Sequence, residues 1–135
     1  AHGVLIGTRF YASHEALGSD KAKRRITGSL GLSTTRTQVF DLVRGYDWPS
    51  AFTGRALKNR FTGRWHGQEA ALLDTLPAEK AAYLKAVAAE DCDTAVVWAS
   101  EAVDLITHIE GAAAITARLG QEAETYLAHG AQLMR

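Results

Sequence analysis

The apolar pattern of the chain opens on Val4-Leu5-Ile6, consecutive aliphatic positions without polar alternation, inside Gly3-Val4-Leu5-Ile6-Gly7-Thr8-Arg9-Phe10. That pattern predicts a strand covered on both faces, the habit of parallel sheets in α/β proteins. A parallel strand needs parallel neighbours reached by crossover connections. The comparable apolar run, Ala95-Val96-Val97-Trp98-Ala99, lies far downstream, and two strands do not make a stable parallel sheet. The chain also starts at Ala1 without methionine and enters the strand at once. The expectation is therefore the C-terminal part of a larger protein. Finding the eight opening residues solvated, or paired into a complete sheet within this chain, would count against it.

Further along, Ser13 reads as the N-cap of a helix over 13–26, with Glu15 in its first turn and Lys21, Lys23, Arg24 and Arg25 in its last. Gly28-Ser29-Leu30-Gly31 breaks it as a loop. The β-branched content of 34–43 predicts an extended segment. Tyr46, Trp48 and Phe52 sit in an irregular connection, where they pack on a neighbour or form the wall of a flat ligand's pocket. Residues 55–61 suit one short basic helical turn, and 65–73 and 78–89 read as helices. Pro77 stands at the first position of the latter, where its missing N–H costs nothing, and Ala81, Leu84, Val87 and Ala88 are its expected buried side. A last helix over 112–129 presents Ile115, Leu119, Ala123 and Tyr126 on one stripe, interrupted at Gly120. No internal repeat or low-complexity tract is visible.

Composition narrows the function classes. The chain has 135 residues, 47% of them apolar and 22% charged, enough for one domain with a real core. Its 15 basic and 15 acidic residues cancel, so no long-range field draws it to a nucleic-acid backbone or an anionic membrane. Cys92 is the single cysteine; it reads as a small, partly buried apolar residue, and an internal disulfide is ruled out. A reducing, cytoplasmic setting fits that usage. No apolar run reaches membrane-spanning length.

The candidate chemistry is sparse. Gly7-Thr8 follows the opening strand at its C-terminal end, where α/β folds place ligand loops. Glycine there lets a ligand approach the backbone, and the Thr8 hydroxyl can join N–H groups in holding a phosphate oxygen. The same residues also fit a plain strand-end turn. The histidines, His2, His14, His66, His108 and His129, show no metal-ligand spacing. His66, between Trp65 and Gly67, reads as structural. No nucleophile elbow, Walker loop or dinucleotide fingerprint occurs, so the residues by themselves name no catalytic group and no metal site.

The opening motif, then Thr35-Arg36-Thr37-Gln38-Val39-Phe40-Asp41, then Arg55-Ala56-Leu57-Lys58-Asn59-Arg60-Phe61, occur with Trp98-Ala99-Ser100-Glu101 and Leu105-Ile106 in an order that resembles the C-terminal part of nitronate monooxygenases, the 2-nitropropane dioxygenase-like family. The resemblance spans essentially the whole chain. It implies an α/β fold: the end of an FMN-binding TIM barrel, contributing the last strand and helix over 1–27. A smaller, mainly helical cap segment over 28–110 and a C-terminal helix over 111–135 follow. It implies that Gly7 and Thr8 bind the FMN phosphate, that Ser100 and Glu101 lie on the substrate side, and that an alkyl nitronate is oxidised with dioxygen to a carbonyl compound and nitrite.

In the family a Gly-Gly turn, earlier barrel strands and a catalytic histidine come before this point. The remainder of the barrel is thus an implied partner, and the 135-residue chain alone is expected to bind FMN poorly and turn over nothing measurable. Ser100 stands where the family often has glycine, and 28–32 departs from the usual polar linker. The alternative from another class is a stand-alone helical interaction module without catalysis. In that module Val4 to Ile6 adds to a partner's sheet or pairs with its own copy as a homo-oligomer. A nucleic-acid binder using Arg55 to Arg64 conflicts with the balanced charge.

Overall fold

A computed structural model describes residues 3–133. It is mixed α/β, dominated by helices around a small two-stranded sheet. The opening segment departs from expectation. Residues 3–7 form no regular element, and Val4 and Leu5 are 82% and 101% exposed. A strand exists only through its ladder partners, and no described segment lies alongside this one. Residues 4–6 are thus an irregular segment in this chain with Val4 and Leu5 solvated, the outcome named above as counting against a piece of a larger sheet.

The chain first turns at Gly7, whose carbonyl accepts the Tyr11 N–H at 2.9 Å, giving the short helix α1 (Thr8–Tyr11). The next helix, α2 (Asp20–Thr27), starts later than Ser13 would set it. Ser19 is its cap, its hydroxyl accepting the Ala22 N–H at 3.2 Å. Ser13 is buried instead and makes a parallel bridge to Glu110, where the His14 N–H donates to the Glu110 carbonyl. Glu15, freed from the expected first turn, accepts the Ala112 N–H at 2.8 Å and caps the last helix.

The expected extended segment over 34–43 is divided in two. β1 (Thr34–Thr37) keeps the β-branched run, and after Gln38 the chain turns into α3 (Val39–Arg44), which buries Val39, Phe40 and Val43 on one side. Gly45 ends that helix at φ +82, a left-handed position that suits glycine. Likewise the expected turn over 55–61 is a strand followed by a helix start. β2 (Gly54–Leu57) pairs antiparallel with β1, Thr34 opposite Leu57 and Thr37 opposite Gly54. α4 (Arg60–Trp65) then begins at Asn59 with a capping box: Asn59 Oδ1 accepts the Thr62 N–H at 3.0 Å, and Thr62 Oγ1 accepts the Asn59 N–H at 2.8 Å.

α5 (Glu69–Asp74) and α6 (Leu76–Ala88) follow, with Pro77 in the first turn of α6. The expected buried side of α6 is wrong. Leu84 and Val87 are exposed, and only Tyr83 is buried, its hydroxyl oxygen receiving the Val96 N–H at 3.3 Å. The helix meets the core through that ring and through Glu79, whose Oε2 accepts the Trp65 Nε1–H at 3.3 Å. The last helix, α7 (Ala112–Leu133), runs unbroken through Gly120. Ile115 is buried and Leu119 half-buried, but Ala123 and Tyr126 are exposed, because α7 outruns the elements it packs on. None of the described helices is long and apolar enough to cross a membrane.

Two apolar clusters hold the molecule. One joins Ala12, Ala22 and Ile26 to Leu57, Val97, Ala99, Val103 and Ile106. The other gathers Val39, Phe40, Val43, Ala56, Phe61, Trp65, Leu72 and Tyr83, with Val96 and Trp98 against it. Residues 97–99 run beside β2: Leu57 N–H donates to Val97 O at 2.9 Å, Ala99 N–H donates to Arg55 O at 3.2 Å, and Ala56 bridges Trp98 antiparallel. Side chains alternate across an extended backbone, so Leu57, Val97 and Ala99 serve the first cluster while Ala56, Val96 and Trp98 serve the second. Cys92 is half-buried against the first cluster, and burial raises its thiol pKa.

Candidate functional site

The fold brings Gly7 and Thr8 against Ser100, though many residues separate them in the chain. α1 turns Thr8 inward and the segment after Ala99 runs past it. The Ser100 N–H donates to Thr8 Oγ1 at 2.9 Å. A hydroxyl carries one donor and two acceptor lone pairs, so this bond orients the Thr8 side chain and leaves its proton for a ligand oxygen. At Gly7 nothing stands within 4 Å of where a Cβ would be, so the backbone there is open to close approach.

Two adjoining clefts share Gly7, Thr8 and Ser100. The larger, about 480 Å³, reaches from Leu5 and Ile6 to Leu105 and to Arg118 and Leu119 on α7. The smaller, about 320 Å³, is walled by Tyr11, Arg55 and Trp98. Both lie in the size range of small-molecule sites. Burial raises the Tyr11 phenol pKa.

Three arginines, none of them expected from the sequence as a cofactor or substrate residue, border these clefts. Arg9 Nη2 donates to the carbonyls of Ala12 at 2.7 Å and His108 at 2.8 Å, while its Nε is buried without a hydrogen-bond partner among the described residues. Burial lowers the Arg9 pKa, with Glu110 opposing that effect. Arg118 is engaged by Glu110, Nη1 donating to Oε2 at 2.9 Å and Nη2 to Oε1. Arg55 Nη1 donates to Thr34 Oγ1 at 3.1 Å and its Nη2 pairs with Glu101 Oε1 at 3.0 Å. Adjacency to Thr8 was the one sequence signal for Arg9; Arg55 and Arg118 are set in place by tertiary packing alone.

Of the residues expected on the substrate side, Ser100 is exposed at the junction of the two clefts and Glu101 is held by Arg55. His66 lies elsewhere, its Nδ1 3.2 Å from Thr37 Oγ1, in keeping with a structural role. The aromatic loop is outside the core: Tyr46, Trp48 and Phe52 are exposed, Tyr46 lies under the Arg44 guanidinium, and Trp48 and Phe52 line a separate recess. Among the described residues no group of three metal-ligating side chains converges. An open glycine and a hydroxyl with a proton to give, with the Arg9 guanidinium beside them, suit an anionic oxygen group such as phosphate.

Comparison with known proteins gives this arrangement a context. No family model matches the chain. It is 41% identical over 75 residues to the nitronate monooxygenase npaC of Metarhizium robertsii, a match covering 52% of this chain and 20% of that protein. FabK from Thermotoga maritima shares its fold with a TM-score of 0.64 at 18% identity, covering 91% of this chain and 37% of FabK. A point mutant of FabK gives 0.61 at 22% identity, covering 91% and 34%. The chain thus spans about a fifth of the curated relative and about a third of FabK. The curated relative is of the family that the chain's motifs resemble, and the match extends over about half of this chain.

Proposed function

We propose that this chain forms part of an FMN-dependent nitronate monooxygenase, with the cleft at Gly7, Thr8 and Ser100 receiving the flavin phosphate. The observation that carries the reading is the Ser100 N–H to Thr8 Oγ1 hydrogen bond, because it joins the residues expected to hold the cofactor to those expected beside the substrate. Gly7 admits the phosphate to the backbone and Thr8 donates its hydroxyl proton to a phosphate oxygen. Arg9 adds positive charge next to it. Glu101 is oriented by Arg55, which sets the direction in which the 98–101 segment faces a nitronate. The bound flavin supplies the electron transfer and the chemistry with dioxygen. In this reading residues 1–27 belong to the barrel's last strand-and-helix unit, 28–110 to the cap and 111–135 to its closing helix, and the remainder of the barrel is the partner of residues 4–6.

The protein isolated from its source should be yellow, with flavin absorbance bands, and should release nitrite from an alkyl nitronate. Thr8→Val should weaken FMN binding about tenfold or more, the scale of one hydrogen bond to a charged group. A colourless protein that cannot be reconstituted with FMN overturns the reading.

A second reading, a self-standing helical interaction module, is favoured by the closure of both apolar clusters within this one chain. Cooperative unfolding of the 135-residue chain by itself, together with no flavin binding by the protein isolated from its source, would support it.

A further inference from the structure

Beside α3, a recess of about 270 Å³ is lined by Asp41, Trp48, Phe52, Thr53, Gly54 and Trp98. Its back wall is preset. The Trp98 ring meets Phe40 edge-on at 5.9 Å and lies so close over Gly54 that any Cβ there would stand 2.8 Å from Trp98 Cη2. Its outer wall is unusual for a soluble surface: Trp48 and Phe52 are 60% and 63% exposed and turned toward no core. Large aromatic side chains left in water around a concavity ask for an occupant.

The charge in the recess indicates which occupant. Asp41 is half-buried on α3, and among the described residues no side chain hydrogen-bonds to its carboxylate or forms an ion pair with it. Arg36 stands at the recess but is engaged by Thr53, Nε donating to Oγ1 at 3.0 Å and Nη2 to the carbonyl at 2.7 Å. Arg44, the cation that acts on Asp41, is occupied elsewhere. Its guanidinium lies 4.5 Å over the Tyr46 ring, and Nη2 contacts Tyr46 Oη at 3.4 Å. Burial pushes the Asp41 carboxyl up, with Arg44 only partly opposing that, which is the behaviour of a carboxylate that lacks a counterion.

We infer that this recess binds a small alkylammonium cation, held against the faces of Trp48, Phe52 and Trp98 and neutralised by Asp41. Aromatic faces carry negative quadrupole and attract such cations, most strongly where water is excluded. A carboxylate beside them selects a cation over a neutral molecule of the same shape. The recess has room for a free amine or for the end of a lysine side chain from another protein. The inference does not rest on the flavin reading; Trp98 is the one residue that lines both places.

Tryptophan fluorescence of the full chain can be titrated with choline, with its uncharged isostere 3,3-dimethylbutan-1-ol, and with a short trimethyllysine peptide. Choline should give a saturable change and the isostere none. Asp41→Asn should weaken choline binding about tenfold or more, and Trp48→Ala, a change at an exposed position, should do so without touching the core. Retained circular dichroism excludes unfolding of either variant. A peptide bound tenfold more tightly than choline would assign the cation to a partner's lysine, and the reverse order to a free amine; both uphold the site. Equal response to the isostere, no saturation with any cation, or undiminished binding in both variants overturns it.

Discussion

Gly54 shows how much one missing methyl group can decide. It stands opposite Thr37 at the end of β2, and Trp98 occupies the space a side chain would need. Gly54→Ala should therefore cost about 1–3 kcal/mol, the scale of overpacking, and should change the Trp98 emission, both readable in one denaturant titration followed by fluorescence. Glu110 makes the electrostatic case. The hydrogen bonds from Arg118 hold its carboxyl at about 2, below its ordinary 4.5, with His108 assisting. In the unfolded chain the same group takes its proton near 4.5, so between those values the unfolded state binds more protons and stability falls as pH falls. Thermal midpoints measured across that window should decline in the wild type and decline less in Glu110→Gln. At this scale the sequence marks Gly7 and Thr8 by their place after an aliphatic run, and Ser100 and Glu101 only through the family resemblance. The meeting of Thr8 with Ser100 and the pairing of Arg55 with Glu101 are tertiary facts that no local spacing encodes.

Among elements, the legible signals were those with a strictly local cause. Pro77 opens α6, and Ile115 is on the buried side of α7. Where two elements meet within a few residues the pattern blurs. Residues 34–43 contain a β-branched run and, directly after it, Val39, Phe40 and Val43 at helical spacing, and a single window averages the two periods. The choice between Ser13 and Ser19 as a cap turns on which serine is buried, and that is set by Glu110 far along the chain. Asn59 is the element-scale residue to test. Besides the capping box, its Nδ2 donates to Ala95 O at 3.1 Å and Cys92 O at 3.2 Å, tying α4 to the segment that becomes the third extended run. Asn59→Ala should cost about 2–3 kcal/mol, a cap plus buried hydrogen bonds. Asn59→Asp, which keeps the cap acceptor but not the amide donors, should fall between the two in a urea titration.

For the whole molecule, the two clusters share one backbone layer, since neighbouring residues of β2 and of 97–99 face opposite sides. Phe40, fully buried and in ring contact with Phe61, Tyr83 and Trp98, is the centre of the second. Phe40→Ala should lower stability by about 3–5 kcal/mol. Calorimetry should still show a single transition, because the first cluster cannot outlast the layer it rests on. The opening segment shows what sequence alone cannot supply: an aliphatic triplet announces burial, but burial needs a covering surface, and Val4 and Leu5 have none among the described residues.

The shared layer also polices its own alignment. Trp98 and Ala99 are adjacent yet point into different compartments, one lined by aromatic rings, the other by aliphatic side chains that close around a methyl group at position 99. If 97–99 shifted along β2 by one position, an indole would be driven into a space sized for a methyl group while a methyl group was left to fill the place of an indole. Such a misaligned chain would be overfilled on one side and hollow on the other, so an insertion or deletion of one residue between Asn59 and Val97 cannot be absorbed by sliding and must be taken up in the turns at 89–95.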